Sequence, residues 1–511
     1  MYPGVYAKSQ PDKIAIIHPA SEVTVSYRQL NEGSNQLAHL LRSFGLKRGD
    51  HVALFLENNP LFFEIVWACL RSGLQLTPIN YHLAPQEAAY IVADCDAQVL
   101  LASANLEHAA ELGRLSDCAI KLSIGGALEG FMAYEEVRED QPKHNVDNET
   151  LGGVMMYSSG TTGRPKGVAR PLLDTTPEEG NPAVQGIGRL FGFDTHTMYL
   201  STAPMYHGAP LGYSNATIAM GGTVVMMDRF DAEESLRLIE QYRITHSQWV
   251  PTMFIRLLKL PEAVRNRYDT SSQTHAIHAA APCPVDVKRQ MIEWWGPIIE
   301  EYYASTEAIG YTKISSAEWL DHPGSVGRST GLPFHICDDD GHELPIGESG
   351  TIYAEIDPRT RVSYHKDSEK TRSACHPFEE TWMSVGDVGY LDEAGYLYLT
   401  DRKSFMIISG GVNIYPQQIE NTLALHPLLM DVAVIGVPHP ELGEVAMGLV
   451  QLAPGTAPST DLEDALKAFV EERLGKQLVP RSFEFVSELP RTPTGKLNKK
   501  VLRAPYWPEP S

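Results

Sequence analysis

Tyr157-Ser158-Ser159-Gly160-Thr161-Thr162-Gly163-Arg164-Pro165-Lys166-Gly167-Val168 follows the apolar run Val154-Met155-Met156. Its three glycines permit tight backbone turns, its four Ser and Thr hydroxyls can donate to phosphate oxygens, and Lys166 adds a positive charge. A loop of this kind can wrap a polyphosphate with N–H and O–H donors. It differs from the GxxxxGK[ST] phosphate loop. Gly160 and Gly163 are too close, and Lys166 precedes Gly167 rather than Ser or Thr. A kinase built on that other loop fails on this spacing.

The flanks of the loop give the fold class. Ser26 opens a segment whose Leu30, Leu37, Leu40, Leu41 and Phe44 share one helical face, and Gly45 closes it. His51 to Leu56 reads as a strand, Pro60 to Leu70 as a helix and Leu74 to Ile79 as a strand. The alternation continues through Val99-Leu100-Leu101. It predicts a parallel sheet covered by helices. Gly221 to Met227 reads as a turn entering a buried strand. Residues 324 to 400 carry short alternating strands with Gly and Asp turns and predict antiparallel pairing. Past about 402 the pattern resets, with strands at Val432 to Val437 and Met447 to Leu452 beside helical patterns at Gln417 to Leu425 and Leu462 to Leu474. Asp174 to Gly188, rich in Thr, Pro, Glu and Gly, reads as a surface loop.

Composition sets limits. The 511 residues suffice for two to four folded units and include 42 Lys+Arg against 64 Asp+Glu, a formal charge of −22. Such a surface is a poor platform for nucleic acid or anionic membranes, although a locally positive pocket can still hold an anionic ligand. The six cysteines, Cys69, Cys95, Cys118, Cys283, Cys337 and Cys375, form no CxxC pair, which disfavours zinc ribbons and thioredoxin-like redox sites. No apolar run is long enough to span a bilayer and no signal peptide is visible, so the expected location is cytoplasmic.

The Tyr157–Val168 string resembles the phosphate-loop signature of the adenylate-forming superfamily: acyl-CoA synthetases, adenylation domains of peptide synthetases and luciferases. Further segments are similar to the superfamily in the expected order, from about 157 to 500, and the first 150 residues also look like its N-terminal part. The resemblance implies ATP contacts from Ser158, Ser159, Gly160, Thr161, Thr162, Gly163 and Lys166. Tyr302-Tyr303-Ala304-Ser305-Thr306-Glu307 resembles the aromatic-x-x-Thr-Glu motif. There Tyr303 and Thr306 would contact the nucleotide and Glu307 would hold Mg2+, a hard cation suited to a carboxylate oxygen. Ser384 to Tyr390 is similar to the segment whose Asp, here Asp387, binds the ribose hydroxyls. Thr400-Asp401-Arg402 looks like a second ribose contact, through Arg402, at the end of the large domain.

The family's hinge residue is usually Asp or Lys, and here Ser404 stands in its place. A hinge needs backbone freedom rather than a fixed charge. Ser409, Gly410 and Gly411 resemble the loop that receives coenzyme A, with glycines leaving room for a narrow pantetheine chain. Pro490 to Lys496 resembles the catalytic-lysine motif. Lys496 would bridge the acid's carboxylate and the α-phosphate, where charge builds in the transition state. His207, in Ala203 to Gly208, would lie beside the acyl carboxylate, and Ala280 and Ala281 near the adenine and the acyl pocket. Tyr213, Trp249 and Met253 complete the expected pocket.

The implied architecture is an α/β fold. A large N-terminal domain, 1–401, holds parallel-rich α/β sheets plus a β-rich subdomain. A hinge at 402–404 joins it to a small mobile C-terminal α+β domain, 405–511. The implied enzyme is an AMP-forming acid–thiol ligase that uses ATP, Mg2+ and coenzyme A, with no nucleic-acid partner and with a homodimer possible. Segments 196–213, 249–254 and 279–283 contain no Lys or Arg. The expected acid is therefore a hydrophobic monocarboxylate: fatty, aryl-alkanoic, terpenoid or with a steroid side chain. The wording around Phe405 to Pro416 is most similar to bacterial fatty-acid-type ligases, and a synthetase megaenzyme with a carrier-protein module after Ser511 is not expected. Two alternatives stay open: an amine or a carrier-protein thiol as acceptor, and a non-catalytic acyl-nucleotide sensor.

Overall fold

The computed structural model describes residues 2–158, 164–402, 405–410, 412–491 and 497–507, with the backbone alone at 401, 402 and 413. The fold is the mixed α/β fold expected. Two compact units are present: Met1–Gln248 with Tyr268–His275 and Pro358–Arg372, and Trp249–Arg267 with Ala276–Asp357 and Ser373–Ser511.

In the first unit a sheet runs in the order Met132–Ala133, Ile120–Ile124, Ala97–Ser103, His51–Phe55, Gln75–Pro78, Gly153–Val154. Every neighbouring pair is parallel. Val52, Ala53, Leu54 and Phe55 are wholly buried, as a strand covered on both faces requires. The helix Tyr27–Ser43 starts where the sequence places it, because Ser26 and Gln29 form a reciprocal capping box. Leu30, Leu37, Leu40 and Leu41 are its buried face. A second sheet carries Met198–Ser201, Thr223–Met226 and Ile14–His18 in parallel, with Val23–Ser26 antiparallel at its edge. The three strands Ser363–Tyr364, Lys166–Ala169 and Met156–Ser158 pair antiparallel.

One expectation is corrected. The stretch read as a loop from Asp174 to Gly188 is helical in its last part, Pro182–Leu190. Asn181 accepts from the Ala183 N–H and Pro182 occupies the first turn, a strong start signal hidden in a composition that otherwise reads as turn.

In the second unit, Thr312–Lys313, Ser325–Ser329, Leu397–Arg402, Asp387–Leu391, Gly350–Glu355 and Phe334–Cys337 form the antiparallel sheet expected of residues 324 to 400. The last sheet is built on a long hairpin, Leu429–His439 with Gly443–Leu452, and adds Ile407–Ser409, Val412–Ile414 and a parallel strand, Ser482–Val486. Alternate residues of Leu429–His439 serve different cores. Val432 and Val434 pack with Ile419, Leu423, Leu466 and Val470, while Ala433 and Ile435 pack with Met447, Leu449 and Leu489.

Behind the parallel pair His275–His278 and Ile299–Glu301 lies a buried ion pair. Lys288 Nζ, on the helix Val285–Trp295, is 2.6 Å from Glu301 Oε2, and His278 Nε2 is 3.5 Å from the same oxygen. Burial raises the Glu301 carboxyl, lowers the Lys288 ammonium and drives the His278 ring well below its usual range, so the ring is neutral at pH 7. Lys288→Met would strand a buried carboxylate and should cost about 3–5 kcal/mol in urea denaturation. The double variant Lys288→Met/Glu301→Gln should recover most of that loss. A single variant as stable as the wild type would show that the pair carries no such load.

Candidate active site

Ser158 ends the strand Met156–Ser158 and faces Lys166 in antiparallel register. The two ends of the quoted stretch are thus held together by a hairpin ladder. Ser159, Gly160, Thr161, Thr162 and Gly163 lie outside the described residues. Lys166 Nζ donates to Asp367 Oδ2 at 2.6 Å, and the Tyr157 hydroxyl donates to Asp94 Oδ2 at 2.6 Å. The Arg164 guanidinium lies over the Tyr90 ring at 5.1 Å. The Lys166 hydrogen bond, and then the Lys370 N–H, hold the Asp367 carboxyl below its ordinary value.

In the second unit, Tyr302 and Tyr303 follow the strand Ile299–Glu301. Tyr302 stacks on Tyr311 with centroids 5.1 Å apart and planes 3° from parallel. The Tyr303 hydroxyl donates to Asp387 Oδ2 at 2.8 Å across 84 residues of sequence. Asp387 opens the strand Asp387–Leu391, is only 8% exposed, and pairs in register with Arg402. The fold therefore brings together Tyr303, Asp387 and the backbone of Arg402. Thr306 is exposed and Glu307 buried, on a turn where Ala308 N–H donates to the Ser305 carbonyl at 2.9 Å. Ala308 adopts φ 49° and Gly310 φ 70°.

His207 stands at the cap position of the helix Gly208–Ala219, its ring 4.3 Å from that of Tyr206. Tyr213, on the same helix, is buried against Phe191 and Phe193, with centroids at 5.6 and 6.2 Å. In the second unit, Trp249 is buried at a strand end and accepts from the Ala279 N–H at 3.3 Å. Met253, on the helix Pro251–Leu258, is buried too. Ala280 and Ala281 are exposed, and Ala280 adopts a left-handed φ of 78° that alanine rarely takes.

Ser409 pairs with Val412 and Gly443, and the Gly410 N–H donates to the Leu442 carbonyl at 2.9 Å. Gly411, Ser404 and Lys496 lie outside the described residues. Among the described residues, Asp338, Asp340 and His342 are the one group spaced for a metal ion. Asp338 Oδ1 accepts from the backbone N–H of Asp340 and His342 at 2.9 and 2.8 Å, so this exposed cluster is accounted for as a turn.

The family model described as "AMP-binding enzyme" matches residues 5–356, and the one described as "AMP-binding enzyme C-terminal domain" matches 418–496. The chain belongs to the AMP-binding enzyme family. It is an AMP-forming acid–thiol ligase of the adenylate-forming superfamily, as the sequence resemblance implies. A feruloyl-CoA synthase of Amycolatopsis sp is 32% identical over 97% of this chain and 96% of its own length. A 2-succinylbenzoate–CoA ligase of Bacillus licheniformis is 31% identical over 97% of this chain and 98% of its own. Among solved structures, o-succinylbenzoate CoA synthetase of Bacillus subtilis in complex with an acyl-adenylate intermediate is similar, with a TM-score of 0.81 and 25% identity. That match covers 98% of this chain and 97% of the other.

For this AMP-binding enzyme, the reading from sequence missed the partners of the site residues. Asp94 lies 63 residues from Tyr157, and Asp367 lies 201 residues from Lys166. No spacing rule reaches that far. The one available signal was the clustering of charge in His365-Lys366-Asp367.

The aromatic packing around Tyr213 extends to a buried histidine. The His246 ring meets Phe193 edge-on at 4.9 Å and stacks on His275 at 4.5 Å, and its Nε2 lies 2.9 Å from the Phe191 carbonyl. Burial first, and the neighbouring His275 second, push it down to about 4. The unfolded ring titrates near 6.5, so the unfolded chain binds more protons below that pH. The stability from keeping the ring neutral is present above pH 6.5 and lost as pH falls toward 4. Urea denaturation should show about 2 kcal/mol of this loss between pH 7 and 5. His246→Gln should lack that component, and an identical pH slope in the variant would refute the assignment.

Proposed function

We propose that this enzyme joins a hydrophobic monocarboxylic acid to coenzyme A in two half-reactions. The carboxylate oxygen attacks the α-phosphorus of ATP, the bond to the β-phosphate oxygen breaks, and acyl-AMP and pyrophosphate result. The sulfur of coenzyme A then attacks the acyl carbon, and AMP leaves with the electrons of the broken C–O bond. The thiol proton goes to solvent. The observation that carries this reading is the Tyr303–Asp387 hydrogen bond at 2.8 Å. It unites two segments whose expected roles are both nucleotide contacts.

In this reading Asp387 accepts from both ribose hydroxyls, and Arg402 supplies the second contact. Ser158, Lys166 and residues 159–163 hold the phosphates. Glu307, a buried oxygen donor on a tight turn, suits Mg2+, which would offset charge on the phosphates when bound. Lys496 steadies the negative charge that builds at the α-phosphorus. His207 orients the acid's carboxylate and borders the route of the thiol. Ser409, Gly410 and Gly411 admit the pantetheine arm. The large domain is 1–401, and the small domain, 405–511, turns about 402–404. In this reading Lys496 and the glycine loop serve the site in turn, so the small domain moves between steps.

The apolar character of the expected pocket segments supports the choice of acid. Trp249, Met253 and Phe254 are buried, and no Lys or Arg in the pocket segments could pair with a second carboxylate. That points to fatty, aryl-alkanoic, terpenoid or steroid side chains and to a place in lipid metabolism. Among the described residues no helix is long and apolar enough to cross a membrane, and a cytoplasmic location fits that reading.

The test is exchange of labelled pyrophosphate into ATP across a panel of acids, followed by CoA-dependent release of AMP. Lys496→Ala should lower the exchange rate by roughly 10²–10³-fold. The same variant should convert supplied acyl-AMP and coenzyme A at near the normal rate. Normal exchange in the variant would remove Lys496 from the chemistry, and absence of exchange with every acid would overturn the whole reading.

A further inference from the structure

The Lys166 ammonium is not simply waiting for a phosphate. It is already paired with Asp367 Oδ2 at 2.6 Å, and both side chains are partly buried. The carboxylate is fixed where it stands. Its other oxygen accepts from the Lys370 N–H at 2.8 Å, which caps the helix Ser368–Ser373. The Asp367 carbonyl accepts from the Thr371 N–H at 3.1 Å and from its hydroxyl at 2.9 Å. The Asp367 N–H donates to the Tyr364 carbonyl at 3.1 Å. Strand Ser363–Tyr364 in turn pairs with Lys166–Ala169, and His365 N–H donates to the Gly167 carbonyl at 2.8 Å. The anion and the cation thus ride on one sheet. The nearby Lys366 ammonium is engaged by the Asp94 carbonyl at 2.7 Å and by Asp96 at 2.8 Å, so it does not neutralise Asp367 instead.

A fixed carboxylate cannot withdraw when a polyphosphate reaches Lys166. The incoming group must displace it from the ammonium and then lie a few ångströms from a carboxylate whose charge is offset only in part, by the Lys370 ammonium. We propose that Asp367 is a resident competitor for Lys166, a positioning residue that weakens the enzyme's hold on pyrophosphate and reclaims the lysine as pyrophosphate leaves. This rests on the reading of Tyr157–Val168 as the phosphate-binding stretch. The consequence is a deliberately loose grip on the product of the first half-reaction. The depressed carboxyl of Asp367 means that the competing charge is present throughout the neutral range.

The experiment measures binding of magnesium pyrophosphate to the full-length enzyme by titration calorimetry, beside steady-state kinetics. Asp367→Asn keeps the oxygen that caps the helix and removes the charge. It should bind pyrophosphate roughly three- to tenfold more tightly. Its KM for ATP should fall in parallel, its KM for the acid should stay put, and product inhibition by pyrophosphate should deepen. Asp367→Glu should return binding toward the wild-type value, and unchanged thermal unfolding midpoints would confirm that all forms are folded. Lys166→Ala should bind pyrophosphate more weakly. If Lys166→Ala weakens binding while Asp367→Asn leaves it unchanged or weaker, the competitor role is wrong and the phosphate-loop reading stands. If Lys166→Ala binds pyrophosphate as well as the wild type, both fall together.

Discussion

The carboxylate of Glu301 sits in the interior of the second unit, and its tolerance there depends on the ammonium of Lys288 2.6 Å away. Glu301 is the last residue of its strand, and His278, which shares the same carboxylate oxygen at 3.5 Å, is the last residue of the neighbouring one. Ala279-Ala280-Ala281 leaves the first strand end, and Tyr302 to Glu307 leaves the second. One buried electrostatic contact therefore sets where both segments begin. The Tyr302–Tyr311 stack and the Tyr303–Asp387 hydrogen bond then fix the direction of the second segment. An apolar replacement of similar volume could be equally stable, but a lone charge left behind could not.

The same logic recurs at the other cations. A chain with a formal charge of −22 must concentrate positive charge locally if it is to hold a nucleotide. Lys166 is held by Asp367, and Arg491, just before the stretch that contains Lys496, is held by Asp431 through two of its nitrogens. Each pairing limits the conformations of a long flexible side chain before any ligand arrives. Each also sets a cost on leaving that partner.

The Tyr157–Val168 string was readable because glycine, hydroxyl and lysine are concentrated in it and few other purposes require that mixture. The alternating α/β pattern of the first 150 residues was readable because parallel strands buried on both faces show as short apolar runs, as at Val52 to Phe55. The strand Ser482–Val486 was missed, since Ser-Phe-Glu-Phe-Val is too short for its alternation to stand out from its surroundings. The helix Pro182–Leu190 was masked by prolines and glycines whose turn-forming reputation outweighs one good cap. The partners Asp94, Asp367 and Lys288 were invisible for a different reason. A single carboxylate or ammonium has no local signature, and only the folded chain decides which residue it meets.

The left-handed backbone at Ala280 carries an evolutionary consequence. A residue held at φ 78° accepts glycine with relief and asparagine with little penalty, but β-branched or bulky side chains only at substantial strain. Descendants of this protein would therefore be barred from placing large aliphatic groups at that point. Their divergence should be channelled into the flanking helices and strand ends instead.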